Sequence, residues 1–193
     1  MSLWGDAHAA STNKPKFLPQ DENSDYNRAD CYATQAGWVM QAGHPSSGNS
    51  NTSATPEVLV ASGGLAGKDA SSGLRTPTVT AMRFVKGTTA TTDMTAADST
   101  ARIRVEVTWD EEVTVVGTPQ LVVVNGNQSS GGLGNYTLSY ISAGSTANRK
   151  LFEATSQSLG NTDVLTVGAA DIALNSGTLS DTVIGGTTVP ASL

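Results

Sequence analysis

Residues 102–109 read Arg-Ile-Arg-Val-Glu-Val-Thr-Trp. Strict alternation sets Ile103, Val105, Val107 and Trp109 on one side and Arg102, Arg104, Glu106 and Thr108 on the other, the period-two pattern of a half-buried antiparallel strand. Working outward, similar runs occupy 79–85, 112–116, 120–124, 135–142, 150–154 and 163–167, with weaker ones at 171–175 and 187–190. Turn residues punctuate them: Gly117-Thr-Pro119, Asn125-Gly126, the glycines of 131–134, Gly144, Gly160-Asn161, Gly168, Asn175-Ser-Gly177 and Gly185-Gly186. Short strands at spacings of roughly 8 to 12 residues with such punctuation predict an all-β antiparallel sandwich. No segment supports an amphipathic helix longer than two turns.

Composition agrees. The 193 residues are 38% hydrophobic, 15% charged and 5% aromatic, with 20 glycines and 46 serines and threonines. That suits one modest core with many turns, and one domain plus an arm rather than two full domains. Net charge is −6, and the 11 lysines and arginines are scattered, so no nucleic-acid footprint is present. Residues 151–193 carry Glu153, Asp163, Asp171 and Asp181 and no basic residue, an acidic terminal region. Cys31 is the single cysteine, which excludes an intrachain disulfide. No stretch reaches the roughly 18 apolar residues of a membrane span, and the N-terminus lacks the basic and apolar regions of an export signal. Assembly in a cytoplasm is expected.

Residues 1–75 lack sustained periodicity and carry prolines at 15, 19, 45 and 56, so they are expected to form an extended, largely irregular arm ahead of a domain at 76–193. Two arm segments could order, 32–40 (YATQAGWVM) and 57–61 (EVLVA), by lying on something larger. Trp4, Phe17, Tyr26, Tyr32 and Trp38 are half of the chain's ten aromatics and lie in this arm. They are candidate partner-binding anchors, since aromatics carry much of an interface's energy; packing back on the chain's own sandwich is the alternative.

Catalytic chemistry finds few candidates. His8 and His44 both lie in the arm, Cys31 has no adjacent cation or histidine to activate it, and no Gly-x-Ser-x-Gly elbow occurs. Residues 62–69 (SGGLAGKD) miss the phosphate-loop pattern at both ends and read as a hinge. No enzymatic activity is expected, although Asp110 with Glu112 would be the carboxylate pair of a hydrolase. Asp110, Glu111 and Glu112 are candidate calcium ligands if Asp163, Asp171 or Asp181 converges on them; otherwise they form a solvated turn that blunts a strand edge. No other cofactor is implied. Arg102, Arg104, Arg149 and Lys150 form either a solvated sheet face or a basic stripe that pairs with acidic neighbours. Asn51, Asn127 and Asn135 head chance-frequency glycosylation sequons.

Two resemblances add to this reading. VTWDEEVTVVGTPQLVVVNG (107–126) and DVLTVGAADIALNSGTLSD (163–181) resemble the opening and closing parts of bacterial immunoglobulin-like domains of large surface proteins. This implies an immunoglobulin-like β-sandwich that serves as spacer or binding module. The Asp-x-x-Gly-Asn segment common after the closing hairpin is replaced here by Asp181-Thr-Val-Ile-Gly-Gly. In the arm, MSLWG (1–5), KPKFLP (14–19) and YATQAGWV (32–39) resemble, in order and spacing, the start of virion structural proteins of marine contractile-tailed cyanophages. That resemblance implies a virion protein, first of all a capsid decoration protein and second a tail or neck accessory. Its partners would be the major capsid protein or other lattice subunits and further copies of itself, with weak contact to host-surface glycans and neither nucleic acid nor membrane. The rival is an adhesin-type cell-surface binding module rigidified by calcium, against which the Met1 start and the missing export signal weigh.

Overall fold

A computed structural model describes residues 15, 28–42, 49–51, 53–66, 77–86, 89–90, 102–126, 134–154, 163–168 and 171–182. Within them the fold is all-β, and every ladder between strands is antiparallel. After a single 3-10 turn at Arg28–Asp30 the strands are β1 (Tyr32–Thr34), β2 (Gly37–Met40), β3 (Glu57–Ala61), β4 (Val79–Lys86), β5 (Thr89–Ala90) and β6 (Arg104–Trp109). They continue with β7 (Val113–Val116), β8 (Gln120–Asn125), β9 (Tyr136–Ile141), β10 (Arg149–Ala154), β11 (Leu165–Thr166) and β12 (Thr178–Asp181). The expected run at 187–190 lies outside the described residues, and the one at 171–175 reduces to a bridge between Ala173 and Gln120.

Three sheets result: β1-β2-β3, the seven-stranded β11-β8-β9-β10-β6-β4-β5, and the pair β12-β7. The registers Phe152 to Val105, Phe84 to Val105, Tyr140 to Phe152 and Leu121 to Leu138 stack the apolar side chains of the large sheet on one face. Val113 and Leu179 from the two-stranded sheet and Ile172 close over that face, and one buried cluster contains them together with Ile103, Val107, Trp109 and Phe152. Tyr140 meets Phe152 edge to face at 6.2 Å between ring centres, a favoured aromatic geometry. Seven strands against two is a more uneven division than the four-and-three layering of a constant-type immunoglobulin domain.

The turn chemistry works as its residues suggest. Asn175 (φ 46°) and Ser176 (φ 62°) both take left-handed backbone, as the two central residues of a type I′ turn must, and Gly177 N–H donates to Leu174 O to close it. Gly117 (φ 77°) packs against this turn so closely that a Cβ there would meet Gly177 Cα at 2.9 Å.

The strand that decides the fold differs from its expectation on one face. Val105, Val107 and Trp109 are buried as predicted, but Glu106 and Thr108 on the opposite face are buried too, at 6% and 1% exposure. β6 sits between β10 and β4, and its polar face is covered by ion pairs and by the N-terminal region. The period-two pattern identified the strand correctly, while the polar residues that it assigned to solvent are satisfied by partners inside the chain.

The expectation of an irregular arm over 1–75 is also corrected for 28–66. Both segments that could order do so, as the β1–β2 hairpin and β3, in one small sheet with its own buried cluster of Cys31, Ala33, Trp38, Met40, Leu65 and Ala66. Two hydrophobic runs too short to fold separately pair with each other, and β1 docks on the body by a parallel bridge from Ala33 to Glu111. The ends of 28–66 are fastened as well. Ala66 N–H donates to Thr34 O, Ser62 N–H to Ala36 O and Gly64 N–H to Gln35 O. Residues 62–66 are therefore a loop folded onto the hairpin rather than a hinge, while 67–69 lie outside the described residues.

Gly37 is the tightest point of this sheet. Its φ is +132°, and a Cβ there would lie 2.1 Å from Val60 O. Gly37→Ala is expected to cost on the order of 1–3 kcal/mol through backbone strain alone, with the displaced β3 adding to it. Hydrogen exchange would show amides of 32–40 and 57–61 losing protection while those of β6 and β10 keep theirs.

Candidate functional site: an acidic junction

The Asp110–Glu111–Glu112 turn links β6 to β7 and is tied to nearly every neighbouring element. Asp110 accepts hydrogen bonds from the Thr78 backbone N–H and hydroxyl, both at 2.6 Å, so its carboxylate caps the start of β4. Its N–H donates to Thr78 O, and its own carbonyl accepts from Ala33 N–H at 2.6 Å, which docks β1. Thr182 N–H, just after β12, donates to Glu112 O. Behind the turn, Asn148 is fully buried. Its Nδ2 donates to Trp109 O at 3.1 Å and to Asp30 O at 3.4 Å, while its backbone carbonyl receives the Trp109 backbone N–H.

The three carboxylates have different surroundings. Glu111 has no exposure, and among the described residues neither of its oxygens has a hydrogen-bond partner. Burial, then the charges of Asp110 and Asp181, push its carboxyl up to about 8. Glu112 is half-buried and lies within electrostatic reach of Tyr32 and Lys150. Lys150 projects from β10 on the core side and donates to Thr146 O at 2.6 Å. Burial lowers it to about 8, against a smaller opposing pull from Glu112.

These positions bear on the candidate calcium ligands. Among the described residues no three histidine, cysteine, aspartate or glutamate side chains come together to hold a metal ion. Asp110 points its oxygens at Thr78, Asp171 is exposed, Asp163 serves another site, and Asp181 alone of the three candidates for convergence comes within electrostatic reach of Glu111. Nor is the turn a solvated edge, since Asp110 and Glu111 are buried at 1% and 0%.

The basic residues are engaged inside the chain. Glu106 is held by Arg83 at 2.7 Å and by Arg149 at 3.4 Å, and Arg83 also reaches Asp30 at 3.4 Å. Asp30, Arg83, Glu106 and Arg149 thus form one network across β4, β6 and β10 that ends on the 3-10 turn before β1. Arg102 and Arg104 both pair with Glu153. The solvated-face reading does not hold for the largely buried Arg149 and Lys150, while Arg102 is exposed and Arg104 partly so, and the arginine pairing is with the chain's own acids. A third cluster fixes the far end of the large sheet. Asp163 accepts from Asn125 Nδ2 at 2.7 Å and from the Tyr136 hydroxyl at 2.6 Å. Burial, and then that hydrogen bond, raise the Tyr136 hydroxyl above its ordinary range.

Of the expected anchors, Tyr32 and Trp38 are buried within the chain at 0% and 1% exposure, so they are internal packing residues rather than partner contacts. Their ring surfaces are consumed by the small sheet and its docking. Trp4, Phe17 and Tyr26 lie outside the described residues, as do His8 and His44. Cys31 is fully buried in the small-sheet cluster, as a packing thiol should be.

Asp30, Arg83 and Asn148 carry no local signal in the sequence, because each acts through partners 23 or more positions away. Glu106 offered a signal only in retrospect, as an acid between two arginine-bearing strands. With this geometry in hand, comparison with protein-family models, curated proteins and solved structures finds no match to the chain.

Glu153 generates a pH prediction. Burial alone would raise its carboxyl, but the hydrogen bonds and charges of Arg102 and Arg104 outweigh this and hold it below 4.5. Its contribution to stability is therefore complete above about 4.5 and is lost as pH falls through the folded value. Glu153→Gln should flatten the acid limb of a stability–pH curve and leave its neutral region little changed in slope. Glu106→Gln removes the carboxylate between Arg83 and Arg149 and should cost about 3 kcal/mol by chemical denaturation, because it strands buried charge.

Proposed function

We propose that the chain is a non-enzymatic virion structural protein, a capsid decoration protein with an immunoglobulin-like body, with a tail or neck accessory as the alternative. The observation that carries this reading is the ordered run of three motifs, MSLWG (1–5), KPKFLP (14–19) and YATQAGWV (32–39), resembling the start of cyanophage virion proteins.

The fold supports the reading by giving the third motif a physical task. Ala36-Gly37-Trp38-Val39 forms the turn and second strand of the β1–β2 hairpin, where Gly37 permits the close approach of β3 and Trp38 fills the small cluster. The motif thus builds a module fastened to the body by Asp30, Ala33 and Asn148. Partner contact then falls to the first two motifs and to Trp4, Phe17 and Tyr26, which precede the module. In this mechanism the segment before residue 28 docks on the major capsid protein or another lattice subunit, and copies are displayed across the particle as the host cytoplasm assembles it. Many copies would also give weak contacts with host-surface glycans useful avidity.

Cosedimentation of the full chain with purified heads and, separately, tails of a contractile-tailed marine phage tests this, with and without a calcium chelator. Attachment to heads that resists chelation is the expected result, and attachment to tails alone would select the accessory reading. A chain beginning at Arg28 should fold with an unchanged thermal midpoint yet lose attachment. Full occupancy by that shortened chain would overturn arm docking, and a full chain that ignores both particles would overturn the virion reading.

A further inference from the structure

The acidic junction holds a group that the proposed function does not use. Glu111 pairs with Ala33 of β1 in a parallel bridge, beside the bond that Ala33 N–H donates to Asp110 O. Its side chain is completely buried, and among the described residues no donor reaches either oxygen. Asp110 and Asp181 act on it with negative charge, from its own turn and from β12. All three sheets meet around it: β1 of the small sheet, the end of β6 in the large one, and β12 paired to β7.

We propose that Glu111 is a proton-dependent lock, which in its neutral form lets the small sheet of β1, β2 and β3 stay docked on the body and in its ionised form releases it. An ionised carboxylate without donors cannot stay in such a place, because burying a charge is tolerated only when it is paired and hydrogen-bonded. The charged groups of the elements packed here do not relieve it. Asp110 and Asp181 are like charges, and Glu112 adds a third within the same turn. Lys150 of β10 faces Glu112 and spends its ammonium on Thr146 O. Arg83 of β4 and Arg149 of β10 are held by Glu106 and Asp30. On the small-sheet side, burial shifts the Tyr32 hydroxyl further upward, so it stays neutral. Arg28 belongs to the 3-10 turn ahead of them.

Opening is therefore the way for an ionised Glu111 to reach water. The parallel bridge at Ala33, the bond from Ala33 N–H to Asp110 O, the Asn148 bond to Asp30 O and the Asp30–Arg83 ion pair are what must break. The sign follows from the upward shift. Docked, the carboxyl titrates near 8, and exposed it returns toward 4.5. Between those values the open form has released a proton that the docked form retains, so rising pH favours opening about tenfold per unit and the effect levels off above about 8. Lys150 acts only above about 8 and in the opposite direction, since its neutral form is the one favoured by burial. It cannot produce a rise below 8. This lock stands on the junction's geometry and is independent of the virion reading.

Native-state hydrogen exchange on the full chain between pH 5 and 9, in chelator and corrected for intrinsic rates, tests it. The Ala33 and Ala66 amides report opening, with amides of β6 and β10 as internal references. The opening constant of the small sheet should climb about tenfold per unit and reach a plateau near pH 8, while the references stay flat. Glu111→Gln, an uncharged mimic of the protonated acid, should abolish the climb. Asp181→Asn, which removes a neighbouring charge, should bring the plateau to a lower pH. A flat profile in the unaltered chain, a climb that persists in Glu111→Gln, or references that rise in parallel would each overturn the lock. If Glu111→Gln does not fold, an unmoved plateau in Asp181→Asn overturns it instead.

Discussion

Burial of β6 on both of its faces is the constraint on which the rest of the molecule depends. A strand with Val105, Val107 and Trp109 on one side needs an apolar layer, and β7, β12 and Ile172 provide it. The same strand carries Arg104, Glu106 and Thr108 on the other side, and a central position in a seven-stranded sheet takes part of that side out of water. Buried polar groups must then be satisfied inside the protein. Arg83 and Arg149 satisfy Glu106, and through Arg83 the network extends to Asp30, which fixes where the N-terminal region lies.

The small sheet is a consequence of that arrangement more than an independent fold. Three strands of three to five residues bury a cluster of six residues, too little to stand alone. Its stability is borrowed from the body through the Ala33 bridge, the Asn148 bonds and the Asp30 ion pair. A unit attached by a few polar contacts and one isolated bridge can separate without unfolding its host. Placing an unpartnered carboxyl at that attachment makes separation depend on protons.

Much of the body was legible from residues 102–109 outward, because alternation and turn chemistry are local and each strand carries its own record. The β3 segment was recognised to the residue, and β4, β8 and β10 to within a residue at either end. The arm was misread for a physical reason. Strands β1 and β2 are short and β2 is buried throughout, so neither shows alternation, and the rule that a short apolar run cannot fold alone ignores a neighbour 20 residues away that completes the sheet. The acidic turn was noticed as a cluster, yet its reading as calcium site or solvated edge missed that Thr78 would occupy Asp110 and that β1 would cover Glu111.

The amino-acid sequence by itself determined the all-β class, the main strands of the body and their turns, since period-two patterning and left-handed turn residues depend on neighbours along the chain. Tertiary structure alone decided which polar groups are buried and with whom. Asp30 meets Arg83 across 53 positions and Asn148 meets Asp30 across 118. Electrostatic environment is a property of what packs around a group, so the same Asp-Glu-Glu string can be a solvated turn, an ion site or, as here, a junction with one carboxyl sealed from water.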